Sequence, residues 1–174
     1  MPAPKKAATA TGARAASAAA RRKATATHVL RQFRVVFNAV KTHFRDVEKK
    51  AGLAGAQVWA LSVIRDAPGI GVNDLAAAMD VHQSTASNLL RALVERKLVT
   101  VRRSASDRRM VQLHVLAAGE RVLRKAPTPF SGVLPAAVAA MDARTLARLE
   151  RDLGELIASL GLDEQAGTIP LGQP

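Results

Sequence analysis

Residues 73–116 read NDLAAAMDVHQSTASNLLRALVERKLVTVRRSASDRRMVQLHVL, and their changing period decides the fold. Asn73 can cap a brief helix over Asp74-Leu75-Ala76-Ala77-Ala78-Met79, and Asp80-Val81-His82 makes a turn. A second helix then runs from about Gln83 to Lys97, turning Ala86, Leu89, Leu90, Leu93 and Val94 inward. From Leu98 the period switches from about 3.6 to two. Leu98–Arg102 and Met110–Leu116 read as strands, and Ser104-Ala105-Ser106-Asp107 is the polar connection between them. The expectation is a helix, a three-residue turn, a helix and a β-hairpin.

Outward from this stretch the chain is helical. Val29, Phe33, Val36, Phe37, Val40, Phe44 and Val47 recur at helical spacing, and Lys49-Lys50-Ala51-Gly52 supplies the cations and glycine of a helix end. A further helix over about Ala54–Arg65 buries Val58, Trp59, Leu61 and Ile64 before the breaker Asp66-Ala67-Pro68-Gly69. Past Ala118 the chain returns to helix, broken near Ala126–Phe130 by Pro127 and Pro129. Asp142 caps a last helix with Leu146, Leu149, Leu153, Leu156, Ile157 and Leu160 on one face, and Gly161 ends it. The fold class is therefore mainly α with a small β-hairpin: a winged helix-turn-helix between N- and C-terminal helices. The implied organisation is a basic disordered arm over 1–27, a dimerisation helix over 28–52, a DNA-binding lobe over 53–117, dimerisation helices over 118–161 and a flexible tail over 162–174.

Composition narrows the function. The 174 residues carry a net charge of +12, a field that draws nucleic acid or acidic surfaces. Residues 1–27 hold Lys5, Lys6, Arg14, Arg21, Arg22 and Lys23 with no acid, and a second excess lies between Arg91 and Lys125. The first of these also has the acid-poor composition of an organellar transit peptide. With no cysteine, disulfides, thiolate metal sites and thiol redox sensing are excluded. His28, His43, His82 and His114 are scattered, so no metal site is expected, and no run of ~18 apolar residues suggests a membrane span. No nucleophile–base pair, phosphate-cradling glycine loop or paired-acid motif stands out, so no enzymatic activity and no cofactor are expected.

With the second helix packed through Ala86, Leu89, Leu90 and Leu93, its other face presents Gln83, Ser84, Thr85, Ser87, Asn88 and Arg91. These types suit base edges in a major groove: Asn or Gln pairs with adenine, Arg with guanine, and Thr touches the thymine methyl. The alternative is that the hydroxyls only cap and solvate the helix. The hairpin carries Arg102, Arg103, Arg108 and Arg109 around Asp107. An Arg there can enter a narrow minor groove, held by the carboxylate, or the pair is an ordinary exposed ion pair.

These stretches resemble the multiple antibiotic resistance regulator (MarR) family. Asp74-Leu75-Ala76, Gln83-Ser84-Thr85-Ala86-Ser87-Asn88-Leu89 and above all Ser106-Asp107-Arg108-Arg109 carry the resemblance, strongest over residues 53–119 and extending over about 28–161. It implies Arg109 as the minor-groove probe with Asp107 as its anchor, and an obligate homodimer joined through the first and last helices. It also implies a bacterial, cytoplasmic, nucleoid-associated repressor of transcription that responds to a small aromatic acid; Phe37, His43, Phe44, Trp59 and Arg65 are the candidate effector residues, though such a stripe is also ordinary core. Where the family often has Gly before the first wing strand, this chain has Lys97; Val101 stands where Arg is frequent, and Val115-Leu116 replaces Leu-Thr.

Dimerisation also follows from the residues: the stripes Val29–Val47 and Leu146–Leu160 are too long for one small core to absorb. A two-fold pair would read an inverted repeat on double-stranded DNA. The competing reading is a linker-histone-like architectural protein with an Ala/Lys-rich tail and little sequence preference.

Overall fold

Helix order follows the apolar spacing of the sequence. A computed structural model describes residues 6–103, 111–162 and 167. Among them run α1 (Lys6–Ala51), α2 (Gly55–Asp66), α3 (Val72–Ala78), α4 (Gln83–Glu95), β1 (Val99–Arg103), β2 (Val111–Val115), α5 (Ala117–Lys125), α6 (Val133–Ala139) and α7 (Ala143–Ser159). The chain divides into two units, residues 1–39 and 40–174.

In the first unit, α1 is helical from Lys6 onward, where composition alone suggests a disordered arm over 1–27. The physical reason is local: alanine is the best helix former, and no proline or paired glycines interrupt residues 6–39. Its described side chains are exposed except for half-buried Phe33, which stacks on Phe37 with ring centroids 6.2 Å apart.

The second unit is organised around α2, whose Val58, Ala60, Leu61 and Ile64 are fully buried. It packs against α3, α4, α5 and β2. Val47 from the end of α1, Leu75 and Met79 around α3, Ala86, Leu89 and Leu93 of α4, Val99, Leu113 and Leu123 complete one core. Each fully buried large aliphatic side chain stabilises the fold by about 1.5–3 kcal/mol. Gln57 accepts a hydrogen bond from the Ala54 N–H at 3.3 Å and so fixes where α2 begins. α3 starts one residue before the expected cap: Gly71, extended at φ −82° and ψ 167°, holds the cap position that spacing assigned to Asn73.

β1 and β2 pair antiparallel, with Val99 opposite Val115 and Arg103 opposite Val111. On its other edge β2 is bound by a short segment that the period-two pattern does not reveal. The Gly69 N–H donates to the Leu113 carbonyl at 2.8 Å, and the Leu113 N–H donates to the Ile70 carbonyl at 3.1 Å. The hairpin base is thus tied to the end of α2.

Candidate nucleic-acid interface

Two tight helix ends aim α4. α3 closes with Asp80 in the left-handed region at φ 51°; its N–H reaches the Ala77 carbonyl, and the Val81 N–H reaches that of Ala76. α4 closes the same way at Lys97, φ 57°, with Lys97 N–H to the Val94 carbonyl and Leu98 N–H to that of Leu93. Both are Schellman ends, which usually carry glycine. That is why the spacing runs the helix on to Lys97, two residues past Glu95. Arg96 adds a brace, its Nη1 donating to the Gly52 carbonyl at 2.7 Å. This cation therefore works inside the fold, a role that charge counting missed.

Between these ends α4 buries Ala86, Leu89 and Leu93 and half-buries Leu90. At 100° per residue the opposite side is centred on Ser84, Ser87, Asn88 and Arg91, with Gln83 and Thr85 towards its edges. Gln83, Ser84, Asn88 and Arg91 are exposed, and Thr85 and Ser87 are half-buried. Val94, expected inward, is instead 37% exposed, because its direction falls beside Gln83 and Ser87 and away from Leu89 and Leu93. Only its angle on the helix could have revealed this apolar edge. The N-cap of α4 is exposed His82 in extended backbone, which makes no side-chain cap hydrogen bond, so among the described residues the first-turn N–H groups have no side-chain acceptor.

The hairpin places Arg102 and Arg103 exposed at the far end of β1, beside the half-exposed Val101. Asp107, Arg108 and Arg109 lie outside the described residues. Arg103 and Val111 are the last described pair on either side of them.

The aromatic candidates take separate roles. Phe37 lies in the first unit and is 58% exposed. His43 is buried, its ring edge-on to Phe44 at 5.7 Å, and its Nε2 has no hydrogen-bond partner among the described residues. Phe44 is half-buried and lies directly on Gly55, with Gly132 at its rim, where the ring leaves no room for a side chain on Gly55. Trp59 is half-buried against the core. Arg65 donates from Nε to Asp66 at 2.8 Å and lies 5.3 Å from the Phe130 ring centroid. The Asp66 hydrogen bond raises the guanidinium pKa further, so Arg65 is a fixed cation. The fold joins His43 with Phe44 and engages Arg65 with Asp66 and Phe130.

A family model described as the MarR family matches residues 51–110. The HTH-type transcriptional regulator YpoP of Bacillus subtilis (strain 168), itself uncharacterized, is 29% identical over 91 residues, covering 52% of this chain and 64% of YpoP. The match thus spans less than two thirds of that relative. Among solved structures, the S. aureus MepR–DNA complex is similar at a TM-score of 0.52 and 20% identity, over 77% of this chain and 96% of that one. Streptococcus pneumoniae FabT in complex with DNA is similar at a TM-score of 0.50 and 19% identity, over 78% and 96%. At such identities the likeness is one of fold: mostly helical, with a two-stranded antiparallel wing.

Proposed function

We propose that this chain, whose residues 51–110 match a family model described as the MarR family, is a sequence-specific, double-stranded-DNA-binding regulator of transcription that acts as a homodimer. One observation carries the reading. The outward face of α4 is polar, free of acids until Glu95, without a side-chain cap at its start among the described residues and followed by a hairpin bearing exposed Arg102 and Arg103.

On this reading α4 enters the major groove. Asn88 pairs bidentately with adenine and Arg91 with guanine, while Gln83, Ser84, Thr85 and Ser87 contact bases or phosphates near the helix start. Arg102, Arg103 and Arg108 neutralise backbone phosphates, and Arg109 probes the minor groove with Asp107 as its anchor. Two copies joined through their unpartnered apolar helices would set two α4 helices one turn apart, about 10 bp centre to centre, on an inverted repeat. Occupying a promoter there represses it. The fold supplies binding and orientation; no bond is made or broken.

The effector in this proposal is a small aromatic carboxylate. Aromatic groups at His43, Phe44 and Trp59 offer it apolar surface, and the fixed cation Arg65 offers it charge. Calorimetry with a panel of aromatic carboxylates tests that part; the absence of heat and of DNA release rejects it.

Retention of genomic fragments followed by footprinting tests the regulator itself. The expected result is a protected inverted repeat, with Asn88→Ala relaxing base preference at one position of each half-site. Arg109→Ala should weaken binding by about 1–3 kcal/mol and leave the dimer intact. Uniform protection of random sequence overturns the proposal.

A further inference from the structure

Ten Lys or Arg and no Asp or Glu fall within residues 1–45, so about a quarter of the chain holds +10 of its net +12; the first carboxylate is that of Asp46. Most of this charge is carried on a helix. α1 is helical from Lys6, and residues 6–39 at 1.5 Å each make a rod of about 50 Å, the length of about 15 base pairs of duplex. Every described side chain from Arg14 to Gln32 is exposed.

Two features say what that rod can bind. Residues 6–28 contain no Val, Leu, Ile, Met, Phe or Trp, so this part of the helix has no apolar face to lay into a membrane surface or a protein groove. Two of its hydroxyls are turned back onto the helix as well: Thr25 Oγ1 donates to the Arg21 carbonyl at 3.1 Å and Thr27 Oγ1 to that of Lys23 at 3.0 Å. The cations are what remains to meet a partner. Lys23, Arg31 and Arg34 follow one side, Arg14 and Arg21 another, and Arg22 a third. A helix polar all round gains no stability from burial, so its alanines hold it and its charges stay free for a partner. Charges on several sides and no groove-reading surface suit a backbone carrying one phosphate per 1.7 Å.

We propose that residues 14–28 of α1 are a second DNA-binding element, which grips duplex phosphates without reading sequence. The proposal rests on the regulator reading only in taking duplex DNA as the polyanion.

The test compares the full chain with its Arg14→Ala/Arg21→Ala/Arg22→Ala/Lys23→Ala variant. None of these side chains is buried and alanine favours helix, so the fold is kept; circular dichroism checks this. Fluorescence anisotropy is measured on two duplexes, one bearing the selected repeat and one of random sequence, over stepped salt. The expected result is a shallower dependence of log K on log salt on both duplexes, by about 0.9 for each phosphate that the variant leaves unneutralised, with the ratio of affinities unchanged. Unchanged slopes overturn the arm proposal even if the repeat is still selected. An arm-dependent slope without selection of the repeat upholds the arm and overturns the regulator. A changed affinity ratio shows that the arm reads bases and overturns the proposal, as does loss of binding to phosphatidylglycerol vesicles with the DNA slopes unaltered.

Discussion

Lys97 holds φ 57° at the C-terminal end of α4, a conformation that crowds any Cβ. Its side chain is exposed, so removing it takes nothing from the core. Lys97→Gly is therefore expected to raise stability by about 0.5–1 kcal/mol in urea unfolding. Gly119 has the opposite sign. A Cβ there would meet the Leu98 carbonyl oxygen at 2.6 Å, Val115 Cγ1 at 2.7 Å and Leu61 Cδ1 at 3.1 Å. The Leu98 carbonyl cannot withdraw, because it accepts the Leu116 N–H that closes the hairpin base. Gly119→Ala should cost about 1–3 kcal/mol, read in the same unfolding experiment, and a neutral result would mean that α5 shifts freely on the sheet. Neither position was legible from spacing alone: Lys97 is an ordinary exposed cation until its dihedral is known, and Gly119 looks like a weak spot in a helix.

Among the elements, α7 has the most explicit ends. Asp142 Oδ1 accepts the Thr145 N–H at 3.0 Å, and Gly161 at φ 64° closes the far end as Leu162 N–H reaches the Ile157 carbonyl. The backbone hydrogen bond from Thr145 holds the Asp142 carboxyl below its ordinary value of 3.8. A pKa lowered by folding means that the cap contributes above that value and is lost as pH falls through the folded one. Asp142→Asn keeps an acceptor at every pH. Thermal melts should therefore show the wild type losing an increment of Tm on acidification below pH 3.8 that the Asn variant does not lose, and parallel curves would remove the cap from the account. Both ends of α7 could be read beforehand, because Asp and Gly each act on their own neighbours. The end of α3 could be read too, as the turn Asp80-Val81-His82, but the end of α4 could not, since Lys97 is placed there by the packing of the helix it closes.

For the whole molecule, the decisive feature is apolar surface left open on the protomer. α7 buries none of its residues, and Leu146, Leu156 and Leu160 are 39%, 38% and 61% exposed. Within residues 1–39, Val29, Leu30, Val36 and Phe37 are likewise open. A second copy covering such stripes is the homodimer proposed above. Leu156→Glu/Leu160→Glu should leave the protomer folded and yield monomers in sedimentation equilibrium, with weaker binding to an inverted repeat because the half-sites are no longer coupled. A variant that stays dimeric would assign the interface to other residues.

The chain's own letters determined the order of its elements, the polar face of α4 and the cap of α7. Each of these is set by periodicity or by a side chain acting within one turn, interactions that close over a few residues. Tertiary structure alone decided that Arg96 braces the Gly52 carbonyl, that Gly69 and Ile70 flank β2, that Phe44 rests on Gly55 and that Val94 turns outward. Those contacts join segments that are distant in sequence, or depend on which arc of a helix its neighbours cover, and neither is encoded in local spacing.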